Sequence, residues 1–411
     1  MADPNAEPTL EAVTKMLQEA FHPFTMTWEE VNWFTIYKVG QRIASQFDVD
    51  RKIFLAGDAS HIHSPKAGLG MNTSMMDTHN LAVKLALVLN KVAKPDILAT
   101  YNLERKRVAD QLLAMDAKLI DLFAKHSEAV KNSSKDAQSA AAATNNELFK
   151  FQRSQAAYQT GLSITYDESF LVRSPGPNDG PSETVREMGG HGLIPGRRLL
   201  PVTVTRYLDG CAMRLLEATQ PFDGHFTIFL CLGDLFSPGK MERIQQLKTQ
   251  IMRPDGLWKR LLDQRYANLS GQLLDSESLF PRSSQHPVFR FVVITSTRND
   301  SMELARHYEN IFRPKNSTDP LLFGPEMLFC DNIPAIFYGV DPANMPLEPR
   351  ILKKPLHEKW DVSEEEGAVV VLRPDGHVGA FVRNLLDRDR YSGSGWSSVE
   401  EYFSRFLVLD D

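Results

Sequence analysis

The stretch KIFLAGDASHIHSPKAGLGMNTSMMDTHNLAVKLA, Lys52 to Ala86, constrains this chain more than any other. An apolar run ends in Gly57-Asp58, Pro65 stiffens the loop that follows, Gly68 and Gly70 stand two apart, and a helical pattern continues. A short apolar run ending in Gly-Asp reads as a buried strand opening into a ligand-facing loop. Asp58 at its end suits sugar-type hydroxyls, since an ionised acceptor makes the stronger hydrogen bond. Two glycines let the backbone approach a flat ligand closely. Backbone N–H groups at the next helix start would face that ligand and stabilise negative charge. The helix is expected from near Met76, with Leu81, Leu85, Val88, Leu89 and Val92 on one apolar face.

Other chemistries fit these residues poorly. GLGMNT is not a GxGxxG, because Thr73 stands at the third glycine, and GGHGLIPG fails at Pro195. Asp58, His61 and His63 lack a convincing further metal ligand nearby. Asp58, Ser60 and His61 are the residue types of a hydrolytic triad, but they lie too close in sequence for its geometry, and no GxSxG occurs.

The remainder of the 411 residues is that of an ordinary soluble chain, 42% hydrophobic with a formal net charge of -6. Nucleic acid would call for a clustered basic face, which this mild acidity does not offer. No apolar run is long enough for a membrane helix, and the N-terminus lacks the pattern of a secretory signal. Cys211, Cys231 and Cys330 form no CxxC and no zinc spacing, so a reducing compartment, the cytoplasm, is expected.

Along the chain, Leu10–Ala20 reads as a helix and Trp33–Val39 as a strand. Val108, Leu112, Met115, Leu119 and Leu122 make one apolar helical stripe, while the charged ERKR at 104–107 reads as a solvated face. An Ala/Ser/Asn-rich segment follows, open between a solvated helix and a mobile connection. Pro/Gly-rich sequence after Leu171 reads as a linker. Beyond it come strand-like MRLLEA, HFTIFLCLG and FRFVVITS, a helical MERIQQLKTQI, a hairpin signal in GAVVVLRPDGHVGAFV, and a final helix at SVEEYFSRFL. The fold class expected is α/β and α+β, with domains at 1–165 and 201–411 joined by a linker at 166–200.

RKIFLAGDASHIHSPKAGLGMNTSMMDTHNLAVKLA closely resembles the flavin-contacting GD motif of phenol 2-monooxygenase-like FAD-dependent aromatic hydroxylases, the group A flavoprotein monooxygenases. YKVGQRIASQF before it fits the same family, and PGRRLLPVTVTRYLDG and VVVLRPDGHVGAFV resemble its thioredoxin-like C-terminal domain. The resemblance implies that Asp58 binds the ribityl or pyrophosphate region of FAD. It implies that Gly68, Leu69, Gly70, Met71 and Asn72 line the isoalloxazine ring, and that Tyr37 lies near ring and substrate. Leu69 departs from the family's usual glutamine, which a backbone contact tolerates. NADPH and O2 as cosubstrates, a small phenolic or aromatic polyketide substrate and a role in secondary metabolism are implied in the same way. Without a CxxC, the C-terminal domain is expected to pack and dimerise rather than carry redox chemistry.

In that family an N-terminal βαβ unit with GxGxxG holds the ADP half of FAD. Only 52 residues precede Ile53, too few for that unit and a substrate sheet, so the chain is expected to be a C-terminal remnant of the hydroxylase fold. A homodimer, or a partner chain supplying the missing FAD-binding part, is the expected assembly. Two other readings stay open: a flavin-less interaction or dimerisation module, and a cofactor-free isomerase or cyclase using His61, His63, Tyr37 and Asp58 as acid–base groups.

Overall fold

Runs of β-branched and aromatic residues build the main sheet in a computed structural model of the chain. The structure describes residues 9–35, 40–131, 135–173, 192–218, 224–261, 288–304, 325–332, 355–386 and 394–409. Four two-residue strands come first, β1 (Arg42–Ile43), β2 (Asp48–Val49), β3 (Ile53–Phe54) and β4 (His61–Ile62), followed by β5 (Thr203–Arg206), β6 (Ala212–Arg214), β7 (Phe226–Gly233), β8 (Phe289–Thr295), β9 (Leu328–Cys330), β10 (Ala368–Leu372) and β11 (Val378–Arg383). Among the described residues the last seven form the main sheet, in the order β11-β10-β7-β8-β9-β5-β6. β7 and β8 pair in parallel and β8 and β9 likewise, while β10 and β11 form an antiparallel hairpin beside β7. The predicted strands HFTIFLCLG and FRFVVITS and the Pro-Asp-Gly hairpin are therefore present.

Alternation along the strands fills two cores. Phe226, Ile228 and Leu230 of β7 face one side and Phe229 and Cys231 the other. The first side is covered by helices Lys240–Ile251 and Ser394–Ser404. Ile244, Leu247 and Ile251 recur there at helical spacing and are buried, each worth about 1.5–3 kcal/mol of burial. Leu193, Leu199, Leu356 and Trp360 cover the second side. Burial pushes the Cys330 thiol up to about 12 and Cys231 in the same direction, Asp331 adding to both. All three cysteines are free.

Helix α1 (Leu10–Ala20) has the predicted bounds and buries none of its residues. Helices α2 (Gly70–Leu89), α3 (Ala99–Lys131) and α4 (Lys135–Ser154) carry the remainder of the N-terminal half. Outside residues 132–134, which are not among the described residues, the Ala/Ser/Asn-rich segment is thus helical. The stripe Val108, Leu112, Met115, Leu119 and Leu122 is buried throughout, as its spacing predicts. Among the described residues, no helix is long and apolar enough to cross a membrane.

Six expectations need correction. Helix α2 starts at Gly70 rather than near Met76. Its apolar face is only partly buried: Leu81, Leu85, Val88 and Val92 are half-buried and Leu89 is 77% exposed, whereas the deepest positions are Asp77, Asn80, Lys84 and Leu87. The ERKR cluster is half interior, since Glu104 and Arg105 are buried by ionic partners described below. KIFLAGDA gives only a two-residue strand, Ile53–Phe54, paired with Asp48–Val49 and with Ile53 64% exposed. MRLLEA turns from strand to helix at Leu215, because its leucine pair packs as one turn under Val202. Residues 33–35 are not strand, and the remainder of that predicted element, with Tyr37, lies outside the described residues, as does most of the Pro/Gly-rich stretch.

Candidate functional site

The GD turn begins at Gly57, whose φ of +59° belongs to the left-handed region that favours glycine. A Cβ added there would stand 2.9 Å from Cβ of Ser74, so the turn sits directly on helix α2. Ser74 in turn donates its hydroxyl to Asp58 at 3.2 Å, and the Asp58 carboxylate is exposed. Ser64 caps a short 3-10 turn at Pro65–Ala67, which ends at Gly68 with φ +65°. Above Gly68 an added Cβ would meet nothing within 4 Å. Gly68, Met71 and Asn72 are exposed, Gly70 is half-buried and Leu69 is buried among Leu112 and Met115.

The amides of Gly70, Met71 and Asn72 precede the first bond of the helix, Thr73 N–H to Leu69 C=O at 2.9 Å. Met71 and Met75 are 74% and 62% exposed beside them. Backbone donors at a helix start, bare glycine backbone and mobile thioether surface thus meet on one shelf, with Asp58 held to the same helix through Ser74. That set matches a flat, electron-rich ring carrying a hydroxylated chain, as FAD does. The structure brings Asp58, Gly68, Gly70, Met71 and Asn72 together and puts Leu69 beneath them as packing.

Two buried carboxylates hold this loop from below: Asp77, which falls inside the stretch that resembles the family but is given no role by that resemblance, and Asp116, which no motif marks. Asp77 accepts from the Gly57 amide at 3.2 Å, pairs with His61 Nε2 at 2.8 Å and accepts from Arg105 Nε at 2.6 Å. Asp116 on α3 accepts from the Ser64 amide at 2.7 Å, from the Ser64 hydroxyl and from Gln41 Nε2 at 2.8 Å. His61 is thereby committed to Asp77, His63 Nδ1 pairs with the Ser64 carbonyl at 2.8 Å, and both rings are buried. Ser60 bonds back to the Gly57 carbonyl.

Behind the loop an ionic seam joins the two halves of the chain. Arg373, in the β10–β11 hairpin, donates to Glu104 at 2.6 and 2.9 Å and to Asp375 at 3.1 and 2.6 Å. Lys84 reaches Glu104 at 2.7 Å, and Asn80 bridges Glu104 and Asp375. Lys84 and Arg373 therefore meet Glu104 and Asp375 in a balanced buried cluster, and Arg105 and Asp77 form a second buried pair. Burial pulls the Lys84 ammonium down to about 8, with Glu104 opposing. Burial pushes Glu104 and Asp375 up, but Arg373 and Lys84 outweigh it for Glu104, and Arg373 and His377 for Asp375.

Both carboxyls are thus held below their ordinary range in the fold. A depressed carboxylate contributes stability that is present above its unfolded pKa of about 4 and is lost as pH falls through the folded value. Unfolding free energy should therefore decline steeply below about pH 4, and Glu104→Gln should make that decline shallower. Urea titrations at a series of pH values measure both slopes.

Comparison with known proteins gives the family. Residues 1–116 match the FAD binding domain family, and residues 164–411 match the phenol hydroxylase C-terminal dimerisation domain. The FAD-dependent monooxygenase terD of Aspergillus terreus is 34% identical over 412 residues, covering 98% of this chain and 56% of that protein. The 3-hydroxybenzoate 4-monooxygenase of Comamonas testosteroni is 30% identical over 97% of this chain and 55% of its own length. The phenol 2-monooxygenase fsqG of Aspergillus fumigatus is 26% identical over 90% of this chain and 52% of its own. The chain spans about half the length of these curated relatives. Its fold is shared with the crystal structure of the flavin-dependent monooxygenase PieE in complex with FAD and substrate, at a TM-score of 0.52, 18% identity, 90% coverage of this chain and 50% of that one. With the dimerisation domain matching from 164 to the end and the FAD binding domain matching around the GD loop, the chain belongs to the phenol hydroxylase family of FAD-dependent monooxygenases.

Proposed function

We propose that this chain forms the ring side of a FAD site in an aromatic hydroxylase acting on phenolic substrates. The observation that carries the reading is the open shelf at Gly68–Asn72, where helix-start amides and exposed methionines stand beside a carboxylate held on the same helix. When bound, FAD would supply the redox chemistry, with NADPH as the hydride donor and O2 giving one oxygen atom to the phenol and one to water. The residues of this chain bind and orient. The Asp58 carboxylate accepts from the hydroxylated chain of the cofactor. The amides of Gly70, Met71 and Asn72 donate towards the ring, where the positive end of helix α2 favours negative charge. Met71 and Met75 cover apolar ring surface and keep water from it. Tyr37 remains the candidate on the substrate side.

We assign residues 57–89 to the ring and ribityl side of FAD and not to its adenosine end. Residues 164–411 are assigned the dimer contact. The acid–base alternative is disfavoured because both histidines are buried in bonds of their own.

Asp58→Ala removes a charge-assisted bond, worth about 1.5–3 kcal/mol, and should weaken FAD binding by about 10- to 100-fold. Quenching of flavin fluorescence on titration measures it. Equal affinity in the variant would remove Asp58 from the site, and no binding to the unaltered chain at saturating FAD would remove the proposal.

A further inference from the structure

The flavin loop is gripped at two ends by different carboxylates, and only one of these leads into the C-terminal domain. Asp116 bonds Ser64 and Gln41, and its three donors all lie in the N-terminal half. Asp77 bonds Gly57 and His61 with one oxygen and Arg105 with the other. Arg105 then donates from Nη1 to the Tyr166 hydroxyl at 3.0 Å. Tyr166 is fastened to the hairpin of the main sheet. Its amide donates to the Gly196 carbonyl at 2.9 Å, and its ring stacks on His377 with centroids 4.3 Å apart. Arg373 lies over the same ring at 5.0 Å. All of Asp77, Arg105, Tyr166, Arg373 and His377 are buried.

We propose that Asp77 is a positioning residue through which the C-terminal domain sets the GD turn. The path runs from the Tyr166 hydroxyl through Arg105 and Asp77 to the Gly57 amide and the His61 ring. Placement of the hairpin thereby fixes where the Asp58 carboxylate is presented. A domain whose family is described as dimerising would in this way also tune the cofactor loop. The effect acts on one end of the loop: the Gly57 end follows Tyr166, and the Ser64 end, held by Asp116, does not. The consequence for FAD rests on the cofactor site proposed above, while the mechanical coupling does not.

Tyr166→Phe deletes the hydroxyl that Arg105 uses and keeps the ring on His377, so the core stays filled. Tyr158→Phe serves as the control, since Tyr158 also gives its hydroxyl to helix α3, at the Val108 carbonyl 2.9 Å away, but stands outside the path. Asp77→Asn keeps an acceptor and removes the charge. The full-length chain is compared in each form by amide hydrogen exchange, melting temperature and FAD titration. Tyr166→Phe should speed exchange in peptides covering 54–61 by about fivefold, the order of one net hydrogen bond, and leave 62–69 and the melting temperature nearly unchanged. FAD affinity should fall by a similar factor, and Asp77→Asn should do more of both. Unchanged exchange at 54–61 in Tyr166→Phe would overturn the proposal. So would an equal rise at 62–69, or the same rise in the Tyr158→Phe control, since either would mean general loosening. The exchange pattern appearing in a chain that binds no FAD would uphold the coupling and dismiss the flavin site.

Discussion

Replacing Arg373 with methionine is expected to lower the unfolding free energy by about 3–5 kcal/mol, the usual cost of leaving a buried charge without its partner. Arg373 makes four bonds to Glu104 and Asp375, both of which are buried. Without it, Glu104 keeps Lys84 and Asn80, and Asp375 keeps Asn80, its own neighbouring amide and His377 at 3.4 Å. One cation then faces two carboxylates in the same interior. Lysine should rescue only part of the loss, because an ammonium cannot span two carboxylates as a planar guanidinium does. The triple variant Arg373→Met, Glu104→Gln, Asp375→Asn should be more stable than Arg373→Met alone, since the unpaired charges go with their partner. Urea unfolding of the four chains measures the series. A loss below about 1 kcal/mol for Arg373→Met would mean that water reaches the seam.

Gly196→Ala is expected to be as damaging by a different route. Gly196 has φ +85°, and an added Cβ would stand 2.0 Å from the Tyr166 carbonyl oxygen, far inside contact distance and against backbone. The clash can be relieved only by moving the segment around Tyr166 off the hairpin. That movement would disturb the bond from the Tyr166 amide to the Gly196 carbonyl at 2.9 Å and from the Gly196 amide to the Val378 carbonyl at 2.7 Å. Backbone strain of about 1–2 kcal/mol adds to two weakened buried bonds of about 1 kcal/mol each. A drop of about 3 kcal/mol or more in unfolding free energy, with loss of the Tyr166 ring stack by NMR, is the expected result.

Period and local chemistry explain why much of this was legible in the sequence. The main-sheet strands announce themselves because FTIFLCLG and FRFVVIT are unbroken β-forming runs and because Pro-Asp-Gly separates two more. The loop's backbone is legible because Gly57 and Gly68 take positive φ and Pro65 opens a short 3-10 turn, conformations that these residue types announce in the sequence. Helix α2 was harder. Gly70, Asn72 and Thr73 are poor helix formers, yet the first turn accepts them, so the helix begins six residues before its propensity does.

The ionic seam is not legible as a seam. Asp77, Asn80 and Lys84 fall inside the stretch that resembles the family, but they recur at helical spacing as a solvated face would, and charged residues default to the exterior. What reverses that default for Lys84 and Glu104 is Arg373, 269 positions from Glu104 in the chain. No local pattern records a partner at that distance. Asp116 is hidden for the same reason, its donors coming from Gln41 and Ser64, 75 and 52 positions away. The motif therefore names the loop proposed to meet the ligand, while tertiary packing reveals what holds that loop still.

Hydrogen exchange of the full chain with and without excess FAD tests the central claim most directly, because it reads where the cofactor sits. Protection confined to peptides from Gly57 to Asn72, and absent in Asp58→Ala, is the predicted outcome. Protection elsewhere with none across Gly68–Asn72, or no protection at saturating FAD, would contradict the assignment of a flavin-ring site to this loop.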